Sequence, residues 1–456
     1  MGARTFQQVS QFIVTVILTR VLSPDDFGVI AMITVFIGFA MIFSEMGISG
    51  ALIQKQDITE EHLSSAFWLN IIFGVAIMGI FILCAPLIAS FYEKPMLIPL
   101  VRVMSFSFFI GAFTVVQKAL FQKKMNFKQL SIAECSSAFI SGIIGIICAW
   151  KGFNVWTLVI QMLVYIFLVT VILWFYSDWK PKFIYSKKSI REIFHFSANM
   201  TSFNILNYFA RNVDYLLIGK FLGAEALGFY TLAYKLMIYP LQYISWSIES
   251  VMFPAFSKIQ RDHHQVGINY IRMVKAISFV TFPMMVGLFA VAHDFVFLVY
   301  GSKWEPVAKL LQILCVCGLV QSIGTTVGTI LKSQGRVDVQ FKKQILGTLI
   351  VILSVVFGLR WGIYGVALCY TLQAIFWTCH MINVAIKIIN LSMDRFYKSL
   401  LPASFFSLIM LIGILCIKLV TKFSILHNFL LEVIFGVIIY VALIKYTRQV
   451  ERLFKS

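Results

Sequence analysis

Four basic side chains stand inside long apolar stretches of this 456-residue chain: Arg102, Arg211, Lys235 and Lys309. A Lys or Arg at the centre of a bilayer span costs roughly 2.5–3.5 kcal/mol, so its presence calls for a reason. Arg211 is the sharpest case. A planar guanidinium grips a phosphate or carboxylate bidentately, while Asp214, three residues on, is within reach on the same helix. Contact with an anionic ligand and a structural pair with Asp214 both stay open. Asp214 is either that counter-ion or a protonatable group able to couple movement to an ion gradient. Lys235, within "YKLMIYP", either contacts an anion or snorkels to an interface. Arg102 and Lys309 lie near equivalent span ends, where snorkelling and a symmetric cationic mouth are both readings. Gln7, Gln8 and Gln11, with Asn204, Asn207 and Asn212, add polar faces suited to hydroxyl-rich ligands or to helix–helix hydrogen bonds. Glu249 carries the same ambiguity.

Other chemistry is missing from the pattern. No HExxH, GxSxG or P-loop is present, and no carboxylates stand at catalytic spacing. The eight cysteines form no CxxC pair and fit neither a disulfide framework nor a zinc site. The sequence therefore predicts no metal, no cofactor and no enzyme, since an acceptor reaction would also need a larger outer loop than the short ones here.

The elements that hold these charges follow from composition. Hydrophobic residues make up 60% of the chain and charged ones 13%, against about 45–50% and 25% in soluble domains. Long apolar blocks of about 20 residues predict membrane-spanning helices rather than barrel strands. Blocks near 8–22, 26–45, 64–90, 98–120, 132–149, 155–175, 198–220, 226–246, 275–298, 306–330, 341–359, 362–386, 399–419 and 427–445 predict fourteen spans in an all-α polytopic protein. The first span is expected to serve as the insertion signal, with no cleaved leader. The net charge of +18 is not a nucleic-acid footprint, because its distribution sets topology. With the N-terminus inside, inner loops hold 26 of the 38 Lys and Arg and outer loops 8. That bias places both termini in the cytoplasm. The basic stretch "KPKFIYSKKSIREIFHF" from Lys180 is expected to lie on anionic lipid as an amphipathic segment.

The chain also repeats itself. "TRVLSPDDFGVI" from Thr19 returns as "GKFLGAEALGFY" from Gly219, with Asp25 on Glu225 and Gly28 on Gly228. Farther on the offset grows to 210, and Gly152 meets Gly362. Six spans separate the copies, so both face the same way and predict two parallel six-helix bundles about an axis along the membrane normal, with substrate in the cleft between them. The expected division is 1–175, a basic linker 176–197, a second bundle 198–386, and two extra helices with a tail over 387–456. In each copy the turn reads as a tight outer hairpin that starts a helix, with Ser23 or Gly223 at the cap position. Pro240 and Pro254 are candidate kinks.

"NVDYLLIGKFLGAEALGFYTLAYKL" from Asn212, "FPAFSKIQ" from Phe253 and "LSPDDFGVIAM" from Leu22 resemble the hallmark of bacterial polysaccharide flippases. These form the polysaccharide-transporter branch of the multidrug/oligosaccharidyl-lipid/polysaccharide exporter superfamily. The resemblance covers essentially the whole chain and implies a flippase of the inner membrane. It would carry undecaprenyl-pyrophosphate-linked oligosaccharides, of the O-antigen or colanic-acid type, from the cytoplasmic to the periplasmic leaflet by alternating access. It implies membrane lipids, a polysaccharide polymerase and glycosyltransferases as partners, and no nucleic acid. The candidate substrate contacts are Arg211, Lys235, Asp214, Asn212, Gln11 and Arg102. A multidrug antiporter and a lipid II flippase of the same superfamily are the alternatives.

Overall fold

Backbone in lipid must satisfy its own hydrogen bonds, and helices do so along this chain. The computed structural model describes the backbone of every residue except 1, 46, 47, 56, 422 and 454–456. It describes all side chains except those and 2–4, 44, 45, 188, 192–207, 210, 243, 245–247, 249, 250 and 447–453. Asn204, Asn207 and Glu249 thus lie outside the described side chains. The α-helices are α1 Gly2–Val21, α2 Pro24–Glu45, α3 Ile48–Gln54, α4 Glu60–Tyr92, α5 Leu97–Met104, α6 Phe106–Lys123, α7 Phe127–Trp150 and α8 Trp156–Tyr176. They continue with α9 Lys187–Lys258, α10 His263–Val299, α11 Glu305–Ser333, α12 Val337–Gly358, α13 Gly362–Ile388, α14 Met393–Val420 and α15 Ile425–Leu453.

Eleven stretches among the described residues are long and apolar enough to cross a bilayer. Two of them join consecutive crossings. Arg211–Gln242 runs over a break in α9 at Gly223, and Val337–Ile388 contains both α12 and α13. Dividing these two and adding the 20-residue α1 yields the fourteen expected. The break in α9 is a finding about residue type. Gly223 adopts φ 88° and ψ 177°, a region essentially reserved for glycine. Pro240 and Pro254 lie farther along α9 without such a break.

Packing divides the chain into two units, Met1–Gly228 and Phe229–Ser456. The sequence places its boundary at 176–197, between the copies of the repeat. Packing instead assigns the chain up to Gly228 to the first unit, because Tyr208 donates to the Val35 carbonyl at 2.7 Å and Gly219 packs on Tyr92 and Met32. In unit one, Ile48, Leu52, Phe67 and Val116 form a core flanked by Trp174 and Trp179. In unit two, Phe256, Tyr270, Ile330 and Phe396 form another.

Turn geometry carries the repeat. The α7–α8 turn uses Gly152 at φ 79° and the α12–α13 turn uses Gly362 at φ 67°, the pair that the offset of 210 brings together. Two further turns match. Met125 at φ 55° follows α6 as Gly335 at φ 67° follows α11, and Glu93 at φ 56° follows α4 as Gly301 at φ 93° follows α10. Left-handed residues end helices by turning the chain sharply, so the halves share their reversals as well as their spans.

The basic linker is only partly helical. Residues 177–186 run as an extended strap along the start of α4, with the Lys182 N–H donating to Ser64 at 3.1 Å and the Ser186 N–H to Ser65 at 2.9 Å. Trp68 donates to the Lys182 carbonyl at 2.9 Å and stacks on Phe183. From Lys187 the chain enters α9.

Candidate functional site

The doubled turn is a helix start used twice. Ser23 caps α2: its Oγ accepts from the Asp26 N–H at 3.2 Å, and the Asp26 carboxylate accepts from the Ser23 N–H at 2.9 Å. This reciprocal box satisfies donors that a helix N-terminus leaves open. Asp25, free of that duty, binds Lys94 at 2.6 Å. The two copies then meet. A Cβ on Gly28 would overlap the Ala224 carbonyl, and a Cβ on Gly228 would overlap the Pro24 carbonyl. Residues 24 and 28 correspond to 224 and 228, so these are one contact made twice, reciprocally. Two helix starts cross with backbone against backbone, which requires glycine at both positions. Lys220 braces the same end, binding Glu93 at 2.7 Å while lying 5.5 Å from the Phe91 ring centroid. Outside the spans, that Lys220 hydrogen bond holds the Glu93 carboxyl below its ordinary range.

Unit one also has a polar interior. Lys118 on α6 binds Glu134 on α7 at 3.0 Å, with side-chain exposures of 42% and 25%, so this ion pair is open to water or ligand. The sequence counts Lys118 among inner-loop cations. The structure puts it inside α6, because an antiparallel hairpin brings it opposite Glu134. Gln7 of α1 reaches Tyr165 of α8, and Thr114 and Thr170 bond at 2.6 Å across α6 and α8. Gln11 is exposed on α1. Hydroxyls, amides and one ion pair thus come from four helices of unit one.

Arg211 and Asp214 part company. Arg211 is exposed, Asp214 is 3% exposed, and no described contact joins their side chains. Asp214 accepts from the Tyr215 N–H at 2.9 Å. Three residues turn a helix by roughly 300°, so the two side chains leave α9 only about 60° apart, with Arg211 on the exposed edge of that face and Asp214 on its buried edge. Asn212 turns back on its own helix and donates to the Tyr208 carbonyl at 2.8 Å. Arg102 ends α5 as an exposed side chain.

In unit two, Lys235 is exposed although Ala233, Leu236 and Met237 beside it are buried. One turn earlier, the Thr231 hydroxyl is buried with no hydrogen-bond partner. Next to Lys235, Tyr234 on α9 meets Tyr370 on α13 hydroxyl to hydroxyl at 3.4 Å, and Gln321 on α11 donates to Tyr370 at 3.2 Å. Tyr230 stacks on Tyr234. Ring faces, hydroxyls and an amide suit a polyhydroxylated ligand. Sequence reading missed Tyr234, Gln321, Tyr370 and Glu134. Opposite charges at matching depth on consecutive spans were the available signal for Glu134, whereas nothing in the sequence pairs α9, α11 and α13.

Known proteins share this organisation. A family model described as "Polysaccharide biosynthesis protein" matches residues 17–309. The lipopolysaccharide biosynthesis protein WzxC of Escherichia coli (strain K12) is 30% identical over 378 residues, 81% of this chain and 76% of its own length. The succinoglycan biosynthesis transport protein ExoT of Rhizobium meliloti (strain 1021) is 25% identical over 96% of this chain and 90% of its own. Among solved structures, the lipid II flippase MurJ in an inward closed conformation superposes with a TM-score of 0.80 at 18% identity, covering 98% of each chain. An inward-facing multidrug transporter of the MATE family gives 0.68 at 13% identity over 84% of this chain and 94% of its own. At these identities the superpositions establish the fold.

Proposed function

The chain belongs to the polysaccharide biosynthesis protein family, and from that premise we propose that it is a flippase. Its cargo is an undecaprenyl-pyrophosphate-linked oligosaccharide, moved from the cytoplasmic to the periplasmic leaflet of the bacterial inner membrane by alternating access. The observation that carries this reading is the match over residues 17–309, reinforced by relatives named for lipopolysaccharide biosynthesis and succinoglycan transport over most of the chain. The positive-inside bias supports two cytoplasmic termini, and the repeated turns support two six-helix halves.

Each part of the cargo has a matching group. A pyrophosphate and acidic sugars need cations: unit one offers the exposed Arg211 and the open Lys118–Glu134 pair, and unit two by itself offers the exposed Lys235. Charge-assisted hydrogen bonds to phosphate are among the strongest available. The sugars need ring faces and hydroxyl partners, which Tyr234, Tyr370 and Gln321 offer. The polyprenyl tail stays in lipid. The chain itself performs no bond cleavage: a flippase binds and releases. A multidrug antiporter and a lipid II flippase share the fold, and cargo distinguishes them.

The test is replacement in the native host. Removing the gene should abolish surface polymer and build up lipid-linked repeat units inside the cell, and Arg211→Ala at wild-type protein levels should do the same. Unchanged polymer on removal of the gene defeats the reading, and unchanged polymer in Arg211→Ala removes Arg211 from the site.

A further inference from the structure

Far along the chain from those cations, three helices of unit two bring ionisable groups together where the sequence reading places none. Lys418, two residues before the end of α14, binds Asp294 of α10 at 2.7 Å and stands 3.8 Å from Glu432 of α15. His293 of α10 bonds Asp294 at 3.1 Å from a side chain that is 55% exposed. Glu432 is 0% exposed, and neither of its carboxylate oxygens has a hydrogen-bond partner. One turn earlier on the same face of α15, the Asn428 Oδ1 is also buried without a donor, while its Nδ2 donates to the Phe423 carbonyl at 3.2 Å. Among the described residues, the α14–α15 turn also carries His427 of α15, which bonds Ser424 at 2.6 Å.

The arithmetic of charge and donors points one way. With His293 neutral, Lys418 already neutralises Asp294, so an ionised Glu432 would add a surplus buried charge with no donor. Such a carboxylate is costly by several kcal/mol. A bound metal ion does not suit the place, because the Lys418 ammonium already holds the position between the two carboxylates. A proton does. It removes the surplus charge and turns Glu432 into a donor with an acceptor, Asn428 Oδ1, one turn away.

We propose that Glu432 is a proton-binding site, with Lys418 as a counter-ion that moves between Asp294 and Glu432 as the proton leaves and returns. The 2.7 Å against 3.8 Å division is the protonated arrangement. On deprotonation the proton passes to water, which reaches the cluster past Lys418 and Asp294, whose side chains are 36% and 12% exposed. The ammonium is then shared by two carboxylates, and the seat of the α14–α15 hairpin on α10 shifts. The inference stands independently of the nature of the cargo.

Infrared difference spectroscopy of the full-length protein in lipid nanodiscs tests it. The wild type should show a protonated carboxyl C=O band at neutral pH that is lost on raising pH, and Glu432→Gln should lack that change. The folded chain then holds this proton more tightly than the unfolded one, so wild-type thermal stability should fall as pH rises through the same titration. Glu432→Gln should lose that fall. If Glu432→Gln does not fold, Lys418→Met gives the second reading, since losing the ammonium should move the band's disappearance to higher pH. Identical spectra for wild type and Glu432→Gln, or a band indifferent to Lys418→Met, would overturn the proposal.

Discussion

Ser23 starts α2 with side chains, and Gly223 starts the second half of α9 with backbone alone. In the first copy a Ser–Asp box closes the helix end, and Asp25 turns outward to Lys94. In the second copy φ 88° at Gly223 makes the turn, and Lys220, three residues before it, supplies the brace to Glu93. What stays constant is the crossing, Gly28 on Ala224 and Gly228 on Pro24. The comparison teaches that this repeat preserves a backbone approach, while the chemistry that ends each helix is free to drift.

Breaking the crossing should have the largest effect. Gly28→Val and Gly228→Val each drive a side chain into a backbone carbonyl, at a cost at or above the upper end of the roughly 1–3 kcal/mol of overpacked cores. Because the two contacts mirror each other, the two variants should lower thermal stability by similar amounts. A large drop in one with none in the other would show that the reciprocity is only formal. Gly223→Ala comes next, at about 1–3 kcal/mol for forcing a side chain into a glycine conformation. Ser23→Ala removes one cap and should cost about 1 kcal/mol. Thermal unfolding of the three sites in one detergent orders them.

The braces should matter least, and with a pH sign. Lys220 lowers the Glu93 carboxyl, so its contribution is complete above the unfolded carboxylate range and fades as pH falls through the folded one. A Glu93→Gln and Lys220→Met double-mutant cycle should show coupling at neutral pH that vanishes in acid. Coupling that persists in acid would mean that the charge on Glu93 is not what Lys220 binds.

Legibility in the sequence followed the range of the interaction. The Ser23 cap, the pairing of Gly152 with Gly362 and the fourteen crossings rest on neighbours in sequence or on hydropathy, and all were readable. The crossing of Gly28 with Ala224 was not, because a close approach of backbones leaves no mark beyond a glycine that many turns would explain. Spacing alone was not enough at Arg211 and Asp214: three residues allow a pair, and only the fold shows one side chain exposed and the other buried. Lys118, read as a loop cation, belongs to a hairpin pair that only the fold supplies. The Tyr234–Tyr370–Gln321 group joins three helices that nothing in the sequence associates, and the Asp294–Lys418–Glu432 group does the same.

The most direct test is a flipping assay on purified protein in sealed vesicles that carry a fluorescent pyrophosphate-linked oligosaccharide on one leaflet. The account predicts time-dependent appearance of the labelled head on the opposite leaflet. Flipping should fall at least tenfold in Arg211→Ala and Lys235→Ala while both variants remain folded. Flipping no faster than in protein-free vesicles, or undiminished in both variants, would contradict it.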